Sequence, residues 1–83
     1  MKVHLRYFAS IREAIGTGSE SVQTQAATLA ALRDELVARG GAYADVLARH
    51  RAVRVALNQT LSDENTALHD GAEVGFFPPV TGG

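Results

Sequence analysis

The segment Ala72-Glu73-Val74-Gly75-Phe76-Phe77-Pro78-Pro79 contains the last strand of the chain and the signal that ends it. Val74 and Phe76 are separated by one residue, so we expect both on the buried face of a sheet. Phe77 is out of phase with them and is predicted on the opposite face. Neither proline can donate a ladder hydrogen bond, so the strand is expected to stop at Phe77.

A second alternating segment runs from residue 2 to residue 8. Its inward positions are Val3, Leu5 and Tyr7, and its outward positions are Lys2, His4, Arg6 and Phe8. Residues 20–24 follow a turn at residues 16–18 and are rich in residues that strands tolerate. They are predicted to return as a second strand, which gives an N-terminal hairpin with a long loop.

One main helix is predicted after Thr28, a residue type that caps helix N-termini well. Its apolar stripe is Leu29, Leu32, Leu36 and Val37, and its solvent-facing positions are predicted to be Arg33, Asp34, Glu35 and Arg39. Gly40-Gly41 is expected to end it. A short helical turn is predicted at residues 43–47, a strand at 51–57, a turn at 58–60 and a short pairing segment at 60–61.

This order of elements, β-β-α-β-(β)-β, favours the α+β class, with a mixed sheet and one helix packed across one face. That is the β-grasp arrangement, in which the first and last strands are parallel neighbours in the middle of the sheet. We expect a β-grasp domain over residues 1–79 and a flexible C-terminal tail at 80–83.

Composition excludes several functional classes. The chain has 83 residues, no cysteine and a formal net charge of −1. A disulfide scaffold, a thiolate metal site and a catalytic thiol are therefore excluded. No basic stripe indicates nucleic-acid binding, no apolar run approaches the roughly 20 residues that span a bilayer, and no signal peptide is apparent, so we expect a cytoplasmic protein. The three histidines have no metal-ligand spacing, and we expect no metal and no bound cofactor.

The tail Val80-Thr81-Gly82-Gly83 is the segment that carries a chemical expectation. Glycine has no Cβ, so it allows a terminus to enter a narrow channel of a partner enzyme. The terminal carboxylate is a poor electrophile and needs activation, most simply as an acyl-adenylate made from ATP, after which a sulfur nucleophile can displace AMP.

An apolar docking patch is predicted beside this tail, formed by Phe8, Leu61, Phe77 and Val80, with Arg12 at its polar rim. The alternative is that Phe8 or Phe77 is covered by the N-terminal loop and belongs to the core.

Three segments resemble the family of small subunits of bacterial molybdopterin synthase. They are Tyr7-Phe8-Ala9-Ser10-Ile11-Arg12-Glu13, Val55-Ala56-Leu57-Asn58-Gln59-Thr60-Leu61 and the ending from Gly71 to Gly83, with its Phe-Phe-Pro-Pro-Val-Thr-Gly-Gly sequence. The resemblance implies a ubiquitin-like sulfur carrier whose docking surface includes Phe8, Arg12, Leu61, Phe77 and Val80.

The resemblance also implies a sequence of reactions and a set of partners. Gly83 would be adenylated by a ubiquitin-activating-like adenylyltransferase that uses ATP, and a sulfur-donating enzyme would convert it to a thiocarboxylate. The tail, Val80 to Gly83, would insert into the large synthase subunit and donate sulfur to precursor Z (cyclic pyranopterin monophosphate), forming the dithiolene of molybdopterin. Two small subunits would flank a dimer of large subunits, which hold the catalytic side chains.

The same residues are also compatible with other functions. A sulfur carrier for thiazole or cysteine synthesis, or a ubiquitin-like modifier that forms isopeptide bonds, would need the same tail. A plain binding module with an incidental Gly-Gly end is a further alternative.

Overall fold

The computed structural model describes residues 1–79, in which five strands form one mixed sheet and three helices cover one of its faces. Along the sheet the strands follow the order β2-β1-β5-β3-β4. In chain order the elements are β1 (Lys2–Tyr7), α1 (Ala9–Ile15), β2 (Ser19–Gln23), α2 (Leu29–Val37), α3 (Gly41–Leu47), β3 (Arg54–Leu57), β4 (Thr60–Leu61) and β5 (Glu73–Phe77).

The centre of the sheet is the parallel pair β1 and β5, in which Leu5 lies opposite Val74 and Tyr7 opposite Phe76. All four side chains are at most 1% exposed, because period-2 alternation directs them toward the helices. The other strand pairs, β1 with β2, β3 with β5 and β3 with β4, are antiparallel. The predicted β-grasp arrangement with parallel central strands is confirmed.

Helix α2 crosses the inner face of the sheet, as its apolar stripe predicts. The hydroxyl of Thr28 accepts a hydrogen bond from the backbone N–H of Ala31 at 3.2 Å and caps the helix. Leu29, Leu32 and Leu36 are each at most 1% exposed. Helix α2 ends at Val37. Helix α3 begins at Gly41, two residues before the helical turn that was predicted at residues 43–47. None of the helices in residues 1–79 has the length and apolar character needed to cross a bilayer.

Helix α1 replaces the long loop that was predicted after β1. Ile11 is 3% exposed and Ile15 packs against the same core, so one face of this short helix is anchored. Gly16 ends it with a φ of 92°, and its N–H donates to the Arg12 carbonyl at 2.9 Å. The i, i+4 isoleucines and the glycine that follows them were the signals for this helix.

Arg33 was predicted to face solvent, and this prediction is wrong, since the residue is 3% exposed. Its guanidinium donates to the backbone carbonyls of Leu47 at 2.6 Å, Ala48 at 2.7 Å and Arg51 at 2.9 Å, and to the Glu64 carboxylate at 3.0 Å. It therefore satisfies carbonyls at the C-terminal end of α3. It also holds the turn before β3, which begins at Arg54 rather than at the predicted residue 51.

Replacing Arg33 with methionine should lower the free energy of unfolding by about 3 kcal/mol, because three carbonyls and the partly exposed Glu64 carboxylate lose their buried donor. Chemical denaturation measures this change. The matched control is Arg49→Met, which removes a guanidinium from a solvent-exposed ion pair with Asp34 and should leave stability nearly unchanged. Equal stability of the two variants would contradict the bridging role of Arg33.

A second polar cluster joins β1, β2 and α3 around the Glu20 carboxylate. It accepts hydrogen bonds from the hydroxyls of Tyr7 at 2.9 Å and Tyr43 at 2.5 Å, and from Arg39 at 3.1 Å. Partial burial opposes ionisation of Glu20, but the three donors outweigh it and hold its pKa below the ordinary value. Burial, followed by the Glu20 hydrogen bond, raises the pKa of Tyr7.

Because the pKa of Glu20 is lower in the folded state than in the unfolded state, its stabilising effect is present at neutral pH. The effect is lost as pH falls through the depressed pKa. Glu20→Gln should therefore reduce stability at pH 7 and flatten the pH dependence of unfolding below the ordinary glutamate range. Thermal denaturation at pH 7 and in a series of acidic buffers measures both effects. If stability fell with pH in the same way in wild type and in Glu20→Gln, the pKa of Glu20 would not be coupled to folding.

Candidate functional site

The face of the sheet opposite the helices carries a row of four side-chain positions, one on each of four adjacent strands. The strand register places Arg6 opposite Gly75, Gly75 opposite Ala56, and Ala56 opposite Leu61. The two middle positions carry no side chain or only a methyl group, so the row is low in its centre and higher at both ends. This low centre is the floor of a groove.

The groove has a volume of about 230 Å³ and two chemically different walls. One wall is aromatic, with the rings of Phe8 and Phe77 in edge-to-face contact at a centroid distance of 5.9 Å. The other wall is polar and consists of Glu73 and Gln59. The groove can therefore bind an apolar group of another molecule while its edge remains hydrated.

Phe8 is held over the groove by both its backbone and its ring. The residue is extended, with a φ of −127°, and its N–H continues the central pairing by donating to the Phe76 carbonyl at 3.1 Å. The Arg6 guanidinium lies 5.4 Å from the ring centroid. A Cβ at position 75 would lie 3.3 Å from Cε2 of Phe8, so glycine there leaves space for the ring.

Leu61 reaches the far end of the groove through a tight hairpin between β3 and β4. Asn58 and Gln59 have φ angles of 50° and 72°, which is the left-handed backbone of a two-residue hairpin turn. The Asn58 side chain fixes this turn by accepting a hydrogen bond from the N–H of Glu73 at 3.0 Å. The turn and the short strand at residues 60–61 were both predicted.

The structure brings three of the predicted docking residues together, because Phe8, Leu61 and Phe77 all line the groove. Phe8 is 41% exposed and Leu61 60% exposed, so the alternative that the N-terminal loop covers Phe8 is wrong. Arg12 lies outside the groove, on α1, where it lines an adjoining depression together with Arg6 and Phe8. The tail positions Val80, Thr81, Gly82 and Gly83 lie outside the described residues.

Sequence reasoning missed the groove floor, Gly75 and Ala56, and the basic end at Arg6. The available signal was a glycine within a strand pattern, which often marks close approach by another group.

The groups with shifted pKa values in the Glu20 cluster lie on the helical side of the sheet. Within residues 1–79, no group of three or more histidine, aspartate or glutamate side chains is placed to hold a metal ion.

The fold defines a ubiquitin-like β-grasp protein, with an apolar groove on the open face of its sheet. The chain belongs to the ThiS family, which matches residues 5–83.

A curated relative from Escherichia coli, the molybdopterin synthase sulfur carrier subunit, is 40% identical over 81 residues, covering 98% of this chain and 99% of the relative. The resemblance seen in the sequence is confirmed.

Solved structures agree with this assignment. A complex of subunits 1 and 2 of molybdopterin-converting factor from Helicobacter pylori contains a chain that is 31% identical, with a TM-score of 0.71 and full coverage of both chains. SAMP1 from Haloferax volcanii is 25% identical, with a TM-score of 0.79 and full coverage of both chains.

The adjacent residues Phe76 and Phe77 provide a test of the two faces of β5. Phe76 is fully buried, so Phe76→Ala should lower the free energy of unfolding by about 3–5 kcal/mol. Phe77 lies on the groove side, and Phe77→Ala should cost much less stability. Thermal denaturation compares them, and a loss in the second variant as large as in the first would show that Phe77 belongs to the core.

Proposed function

We propose that this chain is the sulfur-carrier subunit of molybdopterin synthase. The observation that carries the proposal is the match to the E. coli sulfur carrier subunit, which extends over 98% of this chain. The family match includes Gly82 and Gly83 as well as the strand and prolines that precede them. The docking groove described above is the structural feature that such a carrier requires, because its partners must hold it while its terminus reacts.

The reacting group in this proposal is the carboxylate of Gly83. Chain-terminal carboxyl groups have a reference pKa of about 3.5, so this group is ionised at neutral pH and resists nucleophilic attack. An activating enzyme transfers AMP from ATP to it and releases pyrophosphate. A sulfur-donating enzyme then supplies sulfide-level sulfur, which bonds to the Gly83 carbonyl carbon as the bond to AMP breaks, and the product is a thiocarboxylate. Its sulfur is transferred to precursor Z to build the dithiolene of molybdopterin, and water takes the place of the sulfur on Gly83, which regenerates the carboxylate.

The geometry of β5 supports delivery of this group. The strand is central in the sheet, and Pro78-Pro79 follow directly after Phe77, which lines the groove. Four extended residues beyond Pro79 span at most about 14 Å, enough to pass from a docked surface into a neighbouring pocket. Val80, Thr81 and Gly82 make up this span, and their small side chains suit a narrow channel.

The proposed main partner is the large subunit of molybdopterin synthase, with two small subunits flanking a dimer of large ones. The H. pylori complex of subunits 1 and 2 supports this pairing. The large subunit then supplies the catalytic side chains, and Phe8, Leu61, Phe77, Val80 and Arg12 form the contact surface on this chain. Because activation consumes ATP, we place these reactions in the cytoplasm.

A second candidate is a ubiquitin-like modifier that is joined to lysine side chains. The similarity to SAMP1, a small archaeal modifier protein, favours it. A modifier and a sulfur carrier share adenylation and differ in the nucleophile that displaces AMP, which is an amine in one and sulfur in the other. The product formed at Gly83 therefore separates the two functions.

The test is mass spectrometry of the chain purified from its host, together with reconstituted molybdopterin synthesis. The wild-type chain should show the mass increase of one oxygen-to-sulfur exchange at Gly83 and should support synthesis. A chain without Gly82-Gly83 should show neither, while keeping the thermal stability of wild type. A variant extended by one alanine after Gly83 is the matched control, because it keeps both glycines and moves the carboxylate.

Normal cofactor synthesis without the two glycines would overturn the proposal. A ladder of conjugates on other proteins, without the sulfur-containing species, would favour the modifier.

A further inference from the structure

Three arginines surround the groove and its aromatic wall. Arg6 forms one end of the groove floor, and Arg12 lines the adjoining depression on the other side of Phe8. Arg54 lies directly opposite Phe77 in the pairing of β3 with β5, so the two side chains share the outer face of the sheet. The aromatic pair is therefore flanked by guanidinium groups on both neighbouring strands.

These arginines differ in their pairing from three other arginines of the chain. Arg33, Arg39 and Arg49 each lie within 3.1 Å of a carboxylate oxygen. Arg6 has only a long contact of 3.9 Å with Glu73, and its side chain is 51% exposed. Within residues 1–79, neither Arg12 nor Arg54 has a carboxylate oxygen within 4 Å.

Nearby acidic residues neutralise this face only in part, because Glu73, 3.9 Å from Arg6, is the one carboxylate of residues 1–79 that lines the groove. Asp63 and Glu64 line a depression that includes Arg54 and Leu61, but the Glu64 carboxylate is directed to buried Arg33. The chain as a whole has a formal net charge of −1, so the positive groove face is matched by excess negative charge elsewhere. The residues around the apolar centre keep an excess of one positive charge, because Arg6, Arg12 and Arg54 outnumber Glu73 and Asp63.

We infer that the protein surface that covers the groove presents carboxylate side chains to Arg6 and Arg54, around an apolar group that enters the groove. The inference rests on the proposed function, which makes the large synthase subunit the partner. Arg6 is held in advance by its position over the Phe8 ring, so less side-chain freedom is lost when a carboxylate binds. The apolar contact supplies most of the affinity, and the charges supply orientation and speed of association.

The experiment measures the dissociation constant between the full-length chain and the large synthase subunit of the same organism by calorimetry. Each protein is tested at about 0.1 M and about 1 M NaCl, where the Debye length is about 10 Å and about 3 Å. The test variant carries Arg6→Gln and Arg54→Gln together. The matched controls are Arg49→Gln, which removes an exposed guanidinium from the helical layer, and Phe77→Ala, which removes an apolar contact.

At the lower salt concentration the double variant should bind about threefold to tenfold more weakly than wild type, as expected for two partly exposed ion pairs. At the higher salt concentration the double variant and wild type should bind the large subunit equally, because salt already screens the arginine charges of wild type. Arg49→Gln should match wild type at both concentrations, and Phe77→Ala should be weaker at both.

Three results would overturn the inference and leave the proposed function intact. The first is a double variant that binds like wild type at low salt while Phe77→Ala does not. The second is an equal loss in Arg49→Gln, which would show an effect of net charge alone. The third is that the arginine changes alter self-association of the isolated chain in sedimentation, and not binding to the large subunit, which would make a second copy the occupant. Failure of wild type to bind the large subunit would refute the proposed function itself.

Discussion

The parallel pairing of β1 with β5 is the constraint on which the rest of the structure depends. Parallel neighbours cannot be joined by a tight turn, so a long connection must lie between Tyr7 and Glu73, and it carries the three helices as well as β2, β3 and β4. The helices occupy this crossover and cover one face. The other face is left open at the centre of the sheet, where the outward residues of β1 and β5 form the groove.

Much of this arrangement could be predicted from local patterns. The period-2 alternation of Leu5, Tyr7, Val74 and Phe76 identified the central strands, and Thr28 with its leucine stripe identified α2. Arg33 was misplaced because charge was taken to favour solvent, although it follows Leu29 by four residues and so shares the buried face. The carbonyls that stabilise it belong to α3 and the following turn, which no local pattern connects to α2.

The groove shows a different limit of sequence reasoning. Phe8 and Phe77 were recognisable as out of phase with the core, so their shared face was predictable from strand pairing. The floor depends on Gly75 and Ala56 being aligned across two strands, which requires the register of β3 against β5. A site made by small residues gives no hydrophobic signal in the sequence. The tail residues, in contrast, drew attention through composition and resemblance alone.

The central position of β5 also determines how the domain responds to mechanical load. A partner that grips residues beyond Pro79 and withdraws pulls along the axis of β5, which is hydrogen-bonded to β1 on one side and to β3 on the other. Both ladders are then strained in shear, and their bonds share the force instead of opening one after another. An edge strand would peel from its single neighbour. The domain should therefore resist a pull on its C-terminal end better than a domain whose last strand lies at the edge of the sheet.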